Sequence, residues 1–90
     1  MIYVDDLFEW PATDWRTRQW CHMWSDVSAE ELVAFAERLG LKAQWLQHRG
    51  QGRFKEHFDL RPSKRVLAVQ KGATEIKATE FIRIVKERLI

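Results

Sequence analysis

A helix with a single apolar face cannot stand alone, and residues 28–40 encode one. Ser28 and Glu31 have the S-x-x-E spacing of a capping box, and Leu32, Phe35, Ala36 and Leu39 follow at i, i+3, i+4 and i+7. Gly40 is placed to end the helix in the left-handed conformation. Such a stripe needs an apolar surface to cover, and the flanking segments supply strand candidates. Ile2 to Val4 reads as a first strand, with Tyr3 and Asp5 on one face and Val4 and Asp6 on the other. In QWCHMWSD, Trp20, His22 and Trp24 alternate with Cys21 and Met23, which suits a second strand covered on both faces.

The rest of the chain repeats the alternation. EWPATDWRTR reads as a loop because of Pro11, LKAQWLQ favours a third strand over a helical turn, and HRGQGRFKEH reads as a flexible loop. FDL leads to Pro62 at the first turn of a second helix, whose buried side is drawn from Val66, Leu67, Ala68 and Val69 before Gly72. ATEI suits a short last strand, and ATEFIRIVKERLI an amphipathic helix built on Phe81, Ile84, Val85 and Leu89. The expected architecture is a small single α/β domain over residues 1–90, a layered sheet with about three helices and three to four short strands.

Ninety residues suffice for one hydrophobic core, and 46% hydrophobic with 31% charged residues excludes a disordered chain. No apolar run is long enough to cross a bilayer, so no membrane partner is expected, and no secretory leader pattern is present. The lone Cys21 rules out an internal disulfide and argues against a thiolate zinc site. The cytoplasm is the expected compartment.

The net charge of +2 conceals a division: residues 1–31 carry seven acids against two arginines, and residues 32–90 carry thirteen bases against six acids. Arg49, Arg53, Lys55, Arg61, Lys64 and Arg65 fall within one stretch of seventeen residues. That stretch is either a solvated surface or an anion site. Arg61, Lys64 and Arg65 crowd the N-terminal turn of the second helix, where free N–H groups already carry partial positive charge. A phosphate would satisfy those groups together with the Ser63 hydroxyl, and the alternative is pairing with Asp59 or the N-terminal acids. The glycines of Gly50-Gln51-Gly52 would let backbone approach such a ligand, or simply form a loop.

Polar residues of a second kind sit at the strand ends. Asp5, Asp6, His22, His57 and Asp59 would meet at one edge of the sheet if their strands are neighbours, and two imidazoles with carboxylates suit a divalent metal as cofactor. Their spacing matches no stringent metal motif. The competing reading has Asp26 and Asp59 capping the helices that follow and His22 hydrogen-bonded in the core. Of the five tryptophans, Trp20, Trp24 and Trp45 are expected in the core, whereas Trp10 and Trp15 would stack on a base, cover a pocket or bury a homo-oligomer interface. Nucleic acid is a weaker partner than a small anion, because the acidic N-terminal third repels a phosphate backbone.

IYVDD, WCHMWSD, EELVAFAERLGL, WLQ, HFDL and SKRVLAVQKGATEI, in this order over nearly the whole chain, together resemble domain-of-unknown-function family 4031. The resemblance implies that Tyr3, Asp5, Asp6, His22, Asp26, His57, Asp59 and Arg65 occupy the positions that characterise the family. It also implies a phage or bacterial origin, hence a host cytoplasm if phage-encoded, and a short protein found alone or beside a phosphohydrolase-like domain. Here Arg49 to Glu56 is longer and more basic than the family's tight link. Three functions are therefore expected, in this order. The first is a module binding a phosphorylated nucleotide or similar anion through Tyr3, Asp5, Asp6, His22, His57, Asp59, Arg61, Ser63, Lys64 and Arg65, for instance to sequester a host signalling nucleotide. The second is a metal-dependent phosphohydrolase or nuclease using Asp5, Asp6, His22, His57 and Asp59. The third is a small oligomeric interaction protein.

Overall fold

Apolar residues on both faces of two neighbouring strands force a layered arrangement. The computed structural model describes residues 1–9, 19–52 and 55–88. Its elements are β1 (Ile2–Val4), β2 (Phe8–Glu9), β3 (Gln19–Ser25), α1 (Ala29–Arg38), a 3-10 turn (Ala43–Trp45), β4 (Phe58–Leu60), α2 (Pro62–Gln70), β5 (Thr74–Glu75) and α3 (Ala78–Arg88). β3 is central: β1, β2 and β4 all pair with it antiparallel, and β5 runs parallel to β1 on the outer edge. The result is a mixed sheet with three helices, a small α/β fold.

Strand alternation then sorts the core into two layers. Ile2, Val4, Cys21, Met23, Phe58 and Leu60 face α1 and α2, packing with Leu32, Phe35, Ala36, Leu39 and Ala68. Tyr3 and Trp24 point the other way and bury against Phe81 of α3, with Ile84 packed alongside. Trp24 stacks on Phe81 at 4.7 Å. Because α3 covers only this end of its face, the part of the sheet around His22 is left for a site.

The start of α1 takes the expected form at Ser28, whose hydroxyl accepts the Glu31 N–H at 3.1 Å. Glu31's carboxylate, however, turns to the Met1 ammonium at 2.7 Å instead of closing the capping box. The segment expected as a third strand is the 3-10 turn. Of Ala43, Gln44, Trp45 and Leu46, only Leu46 is buried, so its pattern lacks the period of two that a strand buries. Trp45 is 51% exposed, not core, and Trp20 is half-buried, while Trp24 is buried. Glu9, expected in a loop, pairs with Gln19 in β2. In α2, Ala68 carries the burial and Val66 is exposed, because Val66 lies off the stripe that meets the sheet. The expectations for Trp10, Trp15, Arg53 and Leu89, and for the side chain of Val85, lie outside the described residues.

Leu32 anchors α1 to the sheet and is 1% exposed. Leu32→Ala is expected to cost about 2–5 kcal/mol of unfolding free energy, against about 1 kcal/mol for Ser28→Ala. Urea denaturation of both variants checks the ordering; equal losses would place the cap, not the buried stripe, in control of α1.

Candidate metal centre

Cross-strand register puts His22 of β3 directly opposite Asp59 of β4. His57 stands one residue before β4, so it shares a face with Asp59, and a backbone bridge to Gln47 holds it there (Gln47 N–H to His57 C=O 2.9 Å). Each of His22, His57 and Asp59 offers one ligand atom, and these atoms all lie within 4.8 Å of one another. Two ligands on a tetrahedral zinc are separated by roughly 3.3 Å, from bond lengths near 2.1 Å. The side chains therefore need to draw in by no more than about 1.5 Å to close on an ion.

Each ligand is already oriented from behind. The Asp5 carboxylate accepts both the His22 backbone N–H, at 2.6 Å, and the His22 Nδ1–H, at 2.8 Å. Nδ1 of His57 donates to the Lys55 carbonyl at 2.7 Å. With both Nδ1 atoms engaged as donors, the Nε2 lone pairs are what the rings can offer an ion, as in carboxylate–histidine–metal arrangements. Gln47 donates its side-chain amide to Asp59 Oδ2, leaving Oδ1 toward His57 Nε2 at 3.5 Å. Two lone-pair atoms facing each other this way need a proton or a cation between them.

Sequence position explains how Asp5 reaches His22. In β1, Val4 opposes Met23, and the Asp5 N–H continues the ladder to the His22 carbonyl; in β2, Phe8 opposes Trp20. Three steps on one strand therefore match two on the other, the offset of a bulge. Asp5, next in register, lies on the His22 face by alternation, and the extra residue returns Phe8 to the same face, where it stacks on the His22 ring at 4.8 Å. Asp6 is exposed, outside the cluster. Asp5 is 6% exposed, and since its carboxylate has taken the His22 N–H, its carbonyl is free to accept Arg65 Nε at 2.8 Å.

The electrostatics fit a site held for a positive charge. Burial works to lower the His57 pKa, but the bonds to Asp59 and the Lys55 carbonyl and the Asp59 charge leave it raised. Burial likewise works to raise Asp59, and His57 with Gln47 holds it lowered. The Cys21 thiol is pushed up to about 12, by burial first and then by the Asp5 charge, so it serves neither as ligand nor as nucleophile.

Two cavities open here. One of about 440 Å³ is lined by the triad with Phe8, Trp20, Gln47 and His48. A second, of about 640 Å³, shares Trp20, Gln47 and Asp59 with it and adds Arg61, Ser63 and Lys64. The three cations expected to gather on one anion are distributed differently. Lys64 Nζ donates to the Leu39 carbonyl at the end of α1, and Arg65 pairs with Glu75 and supports Asp5. Arg61 lies 5.7 Å from the centre of the Trp20 ring. Tyr3 belongs elsewhere: its hydroxyl donates to Asp26 Oδ2, while Asp26 Oδ1 accepts from the Met1 ammonium.

His48 is absent from the residues that the sequence singles out, and it stacks on His57 at 5.5 Å. It is the sole non-glycine residue with positive φ among those described, at 58°. The neighbouring Arg-Gly marks a turn, but nothing in the spacing aims this ring at His57. Gln47 and Phe8 are likewise brought in by register and bulge.

The family model described as "Protein of unknown function (DUF4031)" matches residues 2–88. No curated protein and no solved structure matches the chain.

For the metal-free protein, the raised His57 pKa contributes stability that is complete below the unfolded value of about 6.5 and is lost as pH rises through the folded one. Asp59's lowered pKa contributes above its unfolded value of about 3.9 and is lost as pH falls through the folded one. In an NMR titration His57 is expected to show a midpoint above that of a free imidazole, and Asp59→Asn is expected to lower it, since only the Lys55 carbonyl and the Asp5 charge then oppose burial. An unmoved midpoint would mean that the pair is not coupled.

Proposed function

The chain belongs to the family of proteins of unknown function DUF4031, a grouping that specifies no reaction, and from that premise we propose that it is a metal-dependent phosphohydrolase whose divalent ion is held by His22, His57 and Asp59. The observation that carries this reading is the pair of histidines whose Nδ1 atoms are both engaged beside one carboxylate. A buried aspartate behind a half-exposed histidine has little reason to exist in a structure that needs only packing. It has a clear one where the ring must present Nε2 in a fixed direction.

Two imidazoles and one carboxylate are three protein ligands, the number of a catalytic rather than a closed structural site, and all three line the 440 Å³ cavity. An ion held there would supply Lewis acidity and lower the pKa of water. The chain's own residues do the rest. Asp59 remains ionised because His57 and Gln47 hold it so, and Arg61 with Ser63 lines the adjoining cavity where a phosphoryl group would lie. In the reaction the water oxygen bonds to phosphorus, the ester P–O bond breaks, and the departing alkoxide takes one of the water's protons. His48, in the cavity lined by the triad, is placed to relay that proton.

Capture of an anion without turnover retains Arg61 and Ser63 but lacks the convergence of three cations on which it was expected to rest. It gives no reason for the Asp5–His22 support, and so ranks second.

Isothermal titration of chelator-treated protein with Zn²⁺ or Mn²⁺ is expected to give one site per chain. Asp5→Asn should weaken it by about tenfold to a hundredfold, as outer-shell changes do, His57→Ala should lose it, and Asp6→Asn should leave it unchanged. Absence of uptake by the wild type, or equal uptake by the folded His57→Ala variant, would sink the proposal.

A further inference from the structure

Trp45 is half-exposed on a turn that has no freedom to hide it. Leu46, the next residue, is buried, and the N–H groups of Trp45 and Leu46 close back on the carbonyls of Lys42 and Ala43. The turn's backbone is thus held, and the indole lines the 640 Å³ cavity with Lys42 Nζ 5.7 Å from its ring centre. An exposed tryptophan beside a cavity offers a ring on which a planar partner can stack.

The cavity's other walls divide by chemistry. Trp20, Leu41 and Phe58 are apolar, while Arg61, Ser63 and Lys64 bring hydroxyl and positive charge from the first turn of α2. Arg61 lies 5.7 Å from the centre of the Trp20 ring, and among the described residues no carboxylate pairs with its guanidinium. An aromatic surface at one end and an unneutralised guanidinium with a hydroxyl at the other select a ligand that is planar at one end and anionic at the other. A sugar phosphate lacks the first feature and a nucleoside lacks the second.

We propose that this cavity takes a mononucleotide, its base stacked on Trp45 and its phosphate against Arg61 and Ser63, facing Asp59 of the metal triad. The inference rests on the phosphohydrolase reading for what happens to the phosphate, and on the cavity alone for binding. Asp59 and Gln47 line both cavities, so a phosphate on Arg61 would lie beside a residue of the triad. A cavity of this volume suits a small ligand.

The test is calorimetric titration of the full chain, chelator-treated and Zn²⁺-loaded, with AMP, UMP, adenosine, ribose 5-phosphate and inorganic phosphate. The mononucleotides are expected to bind at least tenfold more tightly than adenosine or ribose 5-phosphate. Trp45→Ala should weaken AMP by about tenfold or more, the scale of one base stack, and leave ribose 5-phosphate unchanged. Arg61→Gln should weaken AMP and leave adenosine unchanged. Trp45 is a surface residue, and unaltered Zn²⁺ uptake by Trp45→Ala confirms that the variant folds. Equal affinities for AMP and ribose 5-phosphate, or no loss on Trp45→Ala, overturns the proposal. Metal uptake with no nucleotide binding removes this inference and spares the metal centre; nucleotide binding by a chain that takes up no metal does the reverse.

Discussion

The Asp5 carboxylate fixes one wall of the site. It accepts the backbone N–H that β3 would ordinarily give to a neighbouring carbonyl, and it holds the His22 ring in one orientation. Substituting a side chain for a backbone acceptor interrupts the ladder, and the interruption is used twice. The freed Asp5 carbonyl takes Arg65, which ties α2 to the end of β1, and Arg65 reaches on to Glu75 of β5. A buried carboxylate is costly unless its oxygens are satisfied, and here each oxygen has a donor. One residue thus couples the orientation of a candidate ligand to the seating of a helix.

A row of rings extends the same constraint across the sheet. Phe81 stacks on Trp24, Trp24 lies 5.2 Å from His22, His22 meets His57 edge-on at 5.1 Å, and His57 stacks on His48. The row begins in the core under α3 and ends at an exposed loop. Aromatic contacts of this kind resist tilting of any one ring, because its neighbours are packed on both sides. A domain of ninety residues has little core to give up, and this one makes the smaller of its two core layers and its site from the same strand face.

Legibility in the sequence followed local periodicity. The stripe from Leu32 to Leu39, the cap at Ser28 and Pro62 at the start of α2 each act within a turn or two, so α1 and α2 could be read directly. The pairing of His57 with Asp59 was legible for the same reason, since a two-residue spacing in a strand fixes a common face. Their meeting with His22 was only conditional, because it needs β3 and β4 to be neighbours in one register. Asp6 was grouped with Asp5 because both follow the first strand, although alternation already sets them on opposite faces; the bulge that brings Phe8 to the site comes from long-range pairing and leaves no local mark. Trp45 read as core because tryptophan usually is, and the 3-10 turn that exposes it departs from both strand and helix periods.

The fate of the basic residues shows why charge alone is a poor guide to a site. Arg61, Lys64 and Arg65 are close in sequence, and a helix separates their directions by about 100° per residue. Lys64 therefore reaches back to the carbonyl end of α1, where a cation is favourable. Arg65 turns inward to Asp5, and Arg61, the residue before the first helical position, is left to the cavity. Only the residue ahead of the helix escapes its periodicity. Two structural cations thus lock α2 against α1 and the sheet, and the third lines the second cavity together with Asp59. In the proposed complex a small anion on Arg61 would therefore lie beside Asp59, because one cavity wall carries both.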